Sequence, residues 1–380
     1  MGVPMADNDL IVLAAGGTGG HVFPAEALAN ELGSRGYSLA LITDSRGDAY
    51  GGKLAELETF RVRAGGIAGK GPIAKIRSVA ELGMGTWQAR GLLKKLKPRA
   101  VVGFGGYASV PTMMAATMSG LKTVLHEQNA VLGRANRLLA SRIDAIAVSF
   151  PESRAIPAND VAKVTHTGMP VRNRVLEVRD RPYPSFTDKR PLSILVLGGS
   201  QGARVLSDVV PEAIAGLPDA LRDRVHITQQ CRPEDLERVK ALYEGIGISA
   251  DLASFFDDVP DCLANAHLVI SRSGASTVAE VLAVGRPAIL VPYRHAIDDH
   301  QSLNAHAVDE VGAGWLIPEP DFTSDSLSQR LASMFGMPTI LEKAAEASRR
   351  AGRPDAAERL ANLVEGVIGN SNGKPRRDAA

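Results

Sequence analysis

LIVLAAGGTGGH at residues 10–21 and SILVLGGSQGAR at residues 193–204 are two versions of one pattern. Each begins with a short apolar run typical of a buried strand, continues into a glycine-rich turn and ends where a helical pattern starts. A strand, a glycine turn and a helix in that order open a Rossmann-like domain. Because the pattern occurs in both halves of the chain, the sequence predicts two such domains.

Short apolar runs alternate with longer helical patterns through both halves. The further predicted strands span residues 39–42, 100–104, 123–126, 145–148, 225–228, 268–271 and 288–291. Strands that alternate with helices form parallel, doubly wound sheets. We therefore predict an α/β chain whose two domains face each other across a cleft, with ligands beyond the carboxyl ends of the strands.

The segment HTGMPVRNR, residues 166–174, is interpreted as the crossover between the domains. We place an N-terminal domain at residues 1–170 and a C-terminal domain at residues 171–354. A last helix at about residues 355–369 is expected to pack back on the N-terminal domain. Residues 370–380 are polar and contain glycine and proline, so a disordered tail is predicted.

Composition excludes several classes of protein. A chain of 380 residues is too long for one ordinary core, and a net charge of +1 gives no support for a nucleic-acid partner. Two cysteines cannot form a disulfide framework or a metal cage. No apolar stretch reaches the roughly 18 residues of a spanning helix. Any membrane contact is therefore expected to be peripheral.

Glycine turns follow three of the predicted strands, at residues 16–20, 103–106 and 198–202. Backbone N–H groups in such a turn, together with the next helix N-terminus, can bind a phosphate. A single turn of this kind is equally well explained by packing. Four polar residues, His126-Glu127-Gln128-Asn129, follow another apolar run. Their burial is costly, so they indicate either a polar cleft or a structural hydrogen-bond network.

Two acidic features of the second half allow more than one interpretation. Glu280 lies in a helix just after the polar turn at residues 271–277, where a carboxylate either stabilises the helix end or binds a ribose diol. The pair Asp298 and Asp299 resembles a divalent-metal ligand pair. A second carboxylate cluster is missing nearby in the sequence, so we predict no metal.

Seven segments taken in order carry a family resemblance. They are GGTGGHVFPA, GFGGYASVP, HEQNAVLGRAN, TGMPVR, LGGSQGAR, SRSGASTVAE and DDHQSLNA. Over nearly the whole chain, the sequence resembles glycosyltransferase family 28, which contains the bacterial peptidoglycan N-acetylglucosaminyltransferases. The resemblance implies the two-domain GT-B fold, no cofactor and no catalytic metal.

The resemblance also implies a reaction. N-acetylglucosamine would pass from UDP-GlcNAc, with inversion, to the C4 hydroxyl of the muramyl residue of undecaprenyl-diphospho-MurNAc-pentapeptide (lipid I), giving lipid II and UDP in cell-wall synthesis. The enzyme would be peripheral, on the cytoplasmic face of the inner membrane, where other cell-wall synthesis proteins are further candidate partners.

The resemblance assigns a donor site residue by residue. Glu280 would bind ribose, the backbone of Phe256 would meet uracil, and Gln301 would reach the sugar. The donor residues implied in this way are Thr18, Gly19, Gly20, Asn129, Arg172, Ser200, Phe256, Ala275, Ser276, Thr277, Glu280 and Gln301.

A base must accept the proton of the acceptor hydroxyl. His21 is the first candidate because an imidazole titrates near neutrality. Glu127 and Tyr107 are rivals. Binding of the acceptor diphosphate is the alternative role of His21, and spacing does not decide between the two.

Three other functions fit part of the sequence. A nucleotide-sugar epimerase would share the two domains and the donor site without a lipid-facing surface. A dinucleotide oxidoreductase would use Asp44 after the second strand, but it requires a cleaner GxGxxG turn and leaves the second half-site unexplained. A non-catalytic nucleotide-binding module would not need the polar residues 126–129.

The segment at residues 70–97 is predicted to contact the membrane. Ile73, Ile76, Val79 and Trp87 recur at helical spacing beside basic residues. An ordinary amphipathic helix packed on the core would show the same pattern. A polyprenyl acceptor cannot leave the bilayer, so we expect this apolar face and its basic rim to dock on an anionic surface.

Overall fold

The computed structural model describes residues 9–17, 19–44, 52–65, 72–187, 191–199 and 202–369, with the backbone alone at 52 and 72–77. The chain divides into two compact units. Unit 1 comprises Met1–Arg172 and Asp355–Ala380, and unit 2 comprises Asn173–Pro354.

Strands and helices alternate along both units. The first unit contains β1 (Leu10–Ala14), α1 (Gly19–Ser34), β2 (Ser38–Thr43), α2 (Gly52–Glu56), β3 (Glu58–Arg61), α3 (Pro72–Leu96), β4 (Ala100–Gly103), α4 (Gly106–Met118), β5 (Lys122–Glu127), α5 (Arg134–Ala140), β6 (Ala145–Val148) and β7 (Val164–His166). The second contains α6 (Asn173–Glu177), β8 (Leu192–Leu197), α7 (Arg204–Ala215), α8 (Asp219–Arg222), β9 (Val225–Gln230), α9 (Leu236–Gly245), β10 (Ser249–Ala253), α10 (Val259–Asn265), β11 (Leu268–Ser271), α11 (Ala275–Val284), β12 (Ala288–Leu290), α12 (His300–Glu310), β13 (Gly314–Leu316), α13 (Ser324–Gly336) and α14 (Pro338–Ala351). The last helix, α15 (Ala356–Gly369), belongs to unit 1.

Each unit is built on one parallel sheet in its described residues. The strand order is β3-β2-β1-β4-β5-β6-β7 in unit 1 and β10-β9-β8-β11-β12-β13 in unit 2. In both sheets the order reverses beside the first strand, and ligands bind at such a switch point. The prediction of two Rossmann-like, parallel-sheet domains is confirmed.

Strand β1 shows why both faces of the unit 1 sheet are covered. Successive side chains of a strand point to opposite faces. Ile11 and Leu13 therefore pack in one buried cluster with α1 and α15. Val12 and Ala14 pack in a second cluster with α3, α4 and α5. The strand is apolar without alternation because neither face meets solvent.

Helix α15 completes the core of unit 1 although it lies at the far end of the sequence. Its buried Leu360 and Val364 pack in one cluster with Leu32 of α1. Arg35 forms an ion pair of 2.9 Å with Glu365 at the edge of this contact. The C-terminal segment is thus an integral part of the first unit.

Shortening Leu360 to alanine should destabilise unit 1. A cavity left by a fully buried leucine costs about 2–5 kcal/mol in the free energy of unfolding. Urea unfolding followed by circular dichroism measures the loss. Leu138→Ala is the matched control, because this leucine is 56% exposed and little change is expected. Equal losses in both variants would contradict the buried position of α15.

Candidate active site

Three turns of unit 1 meet where β1, β4 and β5 end. These strands are neighbours in the sheet, so the turns that follow them lie side by side. The amide of Phe104 donates to the carbonyl of Ala14 across 3.0 Å, which holds the β4 turn against the β1 turn. Helices α1 and α4 begin directly after these turns, and the N-terminus of a helix favours negative charge.

His21 lies in the first turn of α1 and faces the start of α4. A side chain at Gly106 would place its Cβ only 3.2 Å from Nε2 of His21. Gly106 also has a φ of 69°, in the left-handed region that favours glycine. Both constraints favour glycine here, and without a Cβ the Nε2 edge of His21 lies close to the backbone at the N-terminus of α4.

A hydrogen-bonded chain connects His21 to the interior. Nδ1 of His21 lies 3.1 Å from Oε1 of Gln128. Nε2 of Gln128 donates to the carbonyl of Phe104 over 2.8 Å and lies 3.1 Å from Nδ1 of His126. Nε2 of His126 lies 3.2 Å from the carbonyl of Gly168. His126 and Gln128 therefore belong to a buried hydrogen-bond network that reaches His21 at the end of the sheet.

Burial decides the charge of the innermost member. His126 is fully buried, and desolvation lowers its pKa from 6.5 to about 4. The nearby His21 acts in the same direction, while the hydrogen bond to Gly168 opposes the shift. His126 is therefore neutral near pH 7.

Glu127 organises the turn after β5. Its Oε1 accepts from the amide of Asn129 at 3.0 Å and from the side-chain nitrogen of Asn129 at 3.2 Å. Its Oε2 accepts from the amide of Gly133 at 2.8 Å and from Nδ2 of Asn136 at 2.6 Å. These donors point at the lone pairs that a base would use. The carboxylate of Glu127 therefore holds this turn to the start of α5 through four hydrogen bonds.

The other predicted residues of unit 1 lie around the same turns. Gly19 and Gly20 begin α1, and Tyr107 is half-buried in the first turn of α4. The guanidinium of Arg172 stacks over the ring of Phe23, 4.5 Å from its centroid. Thr18 lies outside the described residues. Sequence reasoning did not select Phe23, and an aromatic residue one turn after a glycine loop gave no signal by itself.

In unit 2 a second set of turns lies at the carboxyl ends of β8, β11 and β12. A glycine-rich turn follows β8. In it, the φ angle of Gly199 is 80° and the φ angle of Gly202 is 68°. The first turn of α11 contains Ala275, Ser276 and Thr277. Glu280, in the next turn, is buried. Ser200 lies outside the described residues.

Hydrogen bonds join the β11 turn to the start of α12. The hydroxyl of Ser273 donates to the carbonyl of Gln301 at 2.8 Å, and Nδ2 of buried Asn304 donates to the carbonyl of Ser273 at 3.0 Å. Oε1 of Gln301 accepts from the amide of Tyr293 at 2.9 Å. The structure thus brings Gln301 next to the turn that leads to Glu280. Sequence reasoning missed Ser273 and Asn304 as the links between these two turns.

Two further predicted features lie on loops of unit 2. Phe256 is half-buried in the turn after β10. Asp298 and Asp299 have φ values of 54° and 52°, a strained left-handed conformation at the start of α12. Oδ1 of Asp299 accepts from the hydroxyl of Ser302 at 2.6 Å. Across the described part of the chain, no group of three or more His, Cys, Asp or Glu residues is placed to hold a metal ion.

Both units match one family. Residues 11–148 match the glycosyltransferase family 28 N-terminal domain, and residues 193–360 match the glycosyltransferase family 28 C-terminal domain. The chain belongs to glycosyltransferase family 28. It is 60% identical over 364 residues to the UDP-N-acetylglucosamine–N-acetylmuramyl-(pentapeptide) pyrophosphoryl-undecaprenol N-acetylglucosamine transferase of Paramagnetospirillum magneticum, covering 96% of this chain and 98% of that relative.

Solved structures show the same fold. MurG of Acinetobacter baumannii superposes with a TM-score of 0.75 at 28% identity, over 94% of this chain and 99% of that one. A UDP-N-acetylglucosamine 2-epimerase from Listeria monocytogenes superposes with a TM-score of 0.67 at 14% identity, over 98% of this chain and 99% of that one. The epimerase likeness concerns the fold alone. As a member of family 28, the chain is a glycosyltransferase.

The predicted membrane helix of this family 28 enzyme has two different faces. Ala89 and Leu93 of α3 are buried in the core of unit 1. Val79 and Trp87 are 58% and 75% exposed. The side chains of Ile73 and Ile76 lie outside the description. Within the described residues, no helix is both long enough and apolar enough to cross a membrane.

Replacing Glu127 with glutamine should destabilise unit 1. An amide NH₂ would then face N–H donors in a buried site, and an unsatisfied buried donor costs about 1–3 kcal/mol. Urea unfolding measures the loss, and hydrogen exchange at the amide of Gly133 should accelerate. Glu346→Gln is the matched control because Glu346 is exposed. Unchanged unfolding of Glu127→Gln, combined with lost turnover, would instead make Glu127 a candidate base again.

Proposed function

We propose that the chain transfers N-acetylglucosamine from UDP-GlcNAc to the C4 hydroxyl of the muramyl residue of lipid I, forming lipid II and UDP. The observation that carries the proposal is the 60% identity to a transferase of that name across 96% of the chain. An alignment of this length spans both units.

The donor is assigned to the carboxyl edges of the sheets. Buried Glu280 suits a ribose diol, which a carboxylate binds through two hydrogen bonds. Gln301, fixed by the amide of Tyr293, is proposed to bind the sugar, and the backbone of Phe256 the uracil. Arg172 is proposed to neutralise the diphosphate. The remaining donor residues of the proposal are Thr18, Gly19, Gly20, Asn129, Ser200, Ala275, Ser276 and Thr277.

The proposed transfer is one displacement with inversion. The C4 oxygen attacks the anomeric carbon from the face opposite UDP, so the new C–O bond forms while the bond to the diphosphate breaks. Cationic side chains and helix N-termini stabilise the charge that develops on UDP. Nε2 of His21 takes the hydroxyl proton. Tyr107, in the adjacent first turn of α4, is the alternative group for this proton. We propose that neither a metal nor an organic cofactor takes part.

Transfer and epimerisation differ in their need for an acceptor. An epimerase would convert UDP-GlcNAc without lipid I, whereas the proposed transferase releases UDP only when an acceptor is present. The structural likeness to an epimerase, at 14% identity, shows a shared fold and carries no argument about the reaction. The family and the first relative favour transfer.

We expect the enzyme to release UDP from UDP-GlcNAc only when a soluble lipid I analogue is present, and to do so in excess EDTA because no metal is required.

His21→Ala should abolish turnover while UDP still binds, because the residue acts on the acceptor hydroxyl. Glu280→Ala should weaken UDP-GlcNAc binding by about 1–3 kcal/mol, the cost of a lost charged hydrogen bond. Coupled UDP detection and calorimetry measure the two effects. UDP-GlcNAc consumed without acceptor would refute the transferase.

We further propose that the enzyme works on the cytoplasmic face of the bacterial inner membrane. Exposed Val79 and Trp87 of α3 would insert at the lipid surface, with basic residues of the same helix next to them. An amphipathic helix binds such a surface through its apolar face, and each Lys or Arg near anionic lipid adds about 1 kcal/mol.

The double variant Val79→Glu with Trp87→Glu should sediment less with anionic liposomes and turn over long-chain lipid I more slowly. A soluble short-chain acceptor should be spared, because the transfer site is unchanged. The matched control is Val311→Glu with Met337→Glu, two apolar positions of unit 2 that are 51% and 52% exposed. Equal liposome binding by the double variant and wild type would place the docking surface elsewhere.

A further inference from the structure

The orientation of the Gln128 amide is fixed by its surroundings. One end of the amide faces the carbonyls of Phe104 and His126, at 2.8 and 3.2 Å. Carbonyl oxygens only accept hydrogen bonds, so this end is the NH₂ group. The other end, Oε1, therefore points at Nδ1 of His21. An amide oxygen has no proton to give, so Nδ1 of His21 must be the donor.

His126 supports the same arrangement from the inside. Its Nε2 faces the carbonyl of Gly168 and must carry a proton. Because His126 is neutral, its Nδ1 has a lone pair and accepts from the NH₂ group of Gln128. A reversed amide would place oxygen against this lone pair and two carbonyls. The hydrogen bonds thus run in one direction, from His21 through Gln128 and His126 to Gly168.

We propose that Gln128, held by Phe104 and His126, fixes neutral His21 as the Nδ1–H tautomer, so that Nε2 carries the lone pair that accepts a proton. Gln128 and His126 are then positioning residues for His21. The catalytic part of this inference rests on the proposed transfer function. The tautomer itself rests only on the hydrogen bonds of unit 1.

While His21 is neutral, the arrangement favours the proton-acceptor role over phosphate binding, because Oε1 of Gln128 requires the proton on Nδ1. A neutral imidazole with Nδ1–H offers an acceptor at Nε2 and cannot donate from that atom to a phosphate oxygen. It can take the proton of the acceptor hydroxyl as the new C–O bond forms and the bond to UDP breaks. The resulting imidazolium still donates from Nδ1 to Gln128. One hydrogen bond therefore serves before and after proton transfer, without rearrangement.

The tautomer can be observed directly in the whole enzyme. Two-bond ¹H–¹⁵N spectra of histidine-labelled protein, at about pH 8 and thus above the ordinary imidazole pKa, distinguish a protonated nitrogen from one with a lone pair. The signals of His21 are assigned as those that are absent from the spectrum of the His21→Ala variant. We expect a protonated Nδ1 and an unprotonated Nε2. A protonated Nε2, alone or together with Nδ1, would overturn the proposal.

Gln128→Met tests the consequence for turnover. Methionine has a similar length but no hydrogen-bonding amide, so His21 should lose its exclusive Nδ1–H signal. Loss of a group that orients a reacting side chain typically costs about 10–100-fold, and we expect this loss in kcat with the KM for UDP-GlcNAc within about twofold. An unchanged kcat, or an unchanged tautomer, in folded Gln128→Met would contradict the positioning role.

Gln229→Met is the matched control. Gln229 is also a fully buried glutamine, and its Oε1 accepts from the hydroxyl of Tyr243 at 2.7 Å in unit 2. The Gln229→Met variant should be less stable than the wild type, but its His21 spectrum and its kcat should be unchanged. Equal losses of kcat in both variants would reduce the effect to general destabilisation.

If Gln128→Met does not fold, the wild-type spectrum still decides the tautomer. The expected spectrum without acceptor-dependent UDP release would refute the transfer function and leave the tautomer standing.

Discussion

Burial of both faces of each parallel sheet is the constraint on which the rest of the structure depends. Side chains of β1 alternate between two apolar clusters, so no polar group can be placed along the strand without a large cost. The polar side chains of the site therefore lie at the last residues of a strand, as His126 and Glu127 do in β5, and in the turns that follow. Neighbouring strands end side by side, which gathers these turns into one edge in each unit.

Glycine allows the turns to come close enough to act together. Gly106 combines a left-handed φ with a position only 3.2 Å, measured from an added Cβ, from the imidazole of His21. A Cβ there would require the imidazole to shift by a few tenths of an ångström. The same edge buries His126, Glu127 and Gln128, whose polar atoms are paired with backbone groups and neighbouring side chains. A rigid network of this kind positions a reacting group at little cost during the reaction.

Glu127 of β5 and His21 of α1, two of the three candidate bases, differ in their hydrogen-bond partners. The two oxygens of Glu127 accept from donors of the following turn and of α5, which ties the chain from Asn129 to Asn136 together. His21 instead donates from Nδ1 and keeps an acceptor at Nε2. Two polar residues that look alike in the sequence thus have different structural roles: Glu127 holds a turn, and His21 is the residue that we propose as the base.

The sequence alone determined the fold class, because apolar strands and glycine turns are local patterns that depend only on residues close together in the chain. It also determined the family, since seven ordered segments span both units. Only the tertiary structure decided what contacts are made across long separations. Gln128 and His21 are distant in sequence, and no local pattern indicates that one orients the other. Likewise, the side chains of Ser273 and Asn304 join two turns by donating to backbone carbonyls. Every residue has such a carbonyl, so the sequence does not indicate which one is the partner.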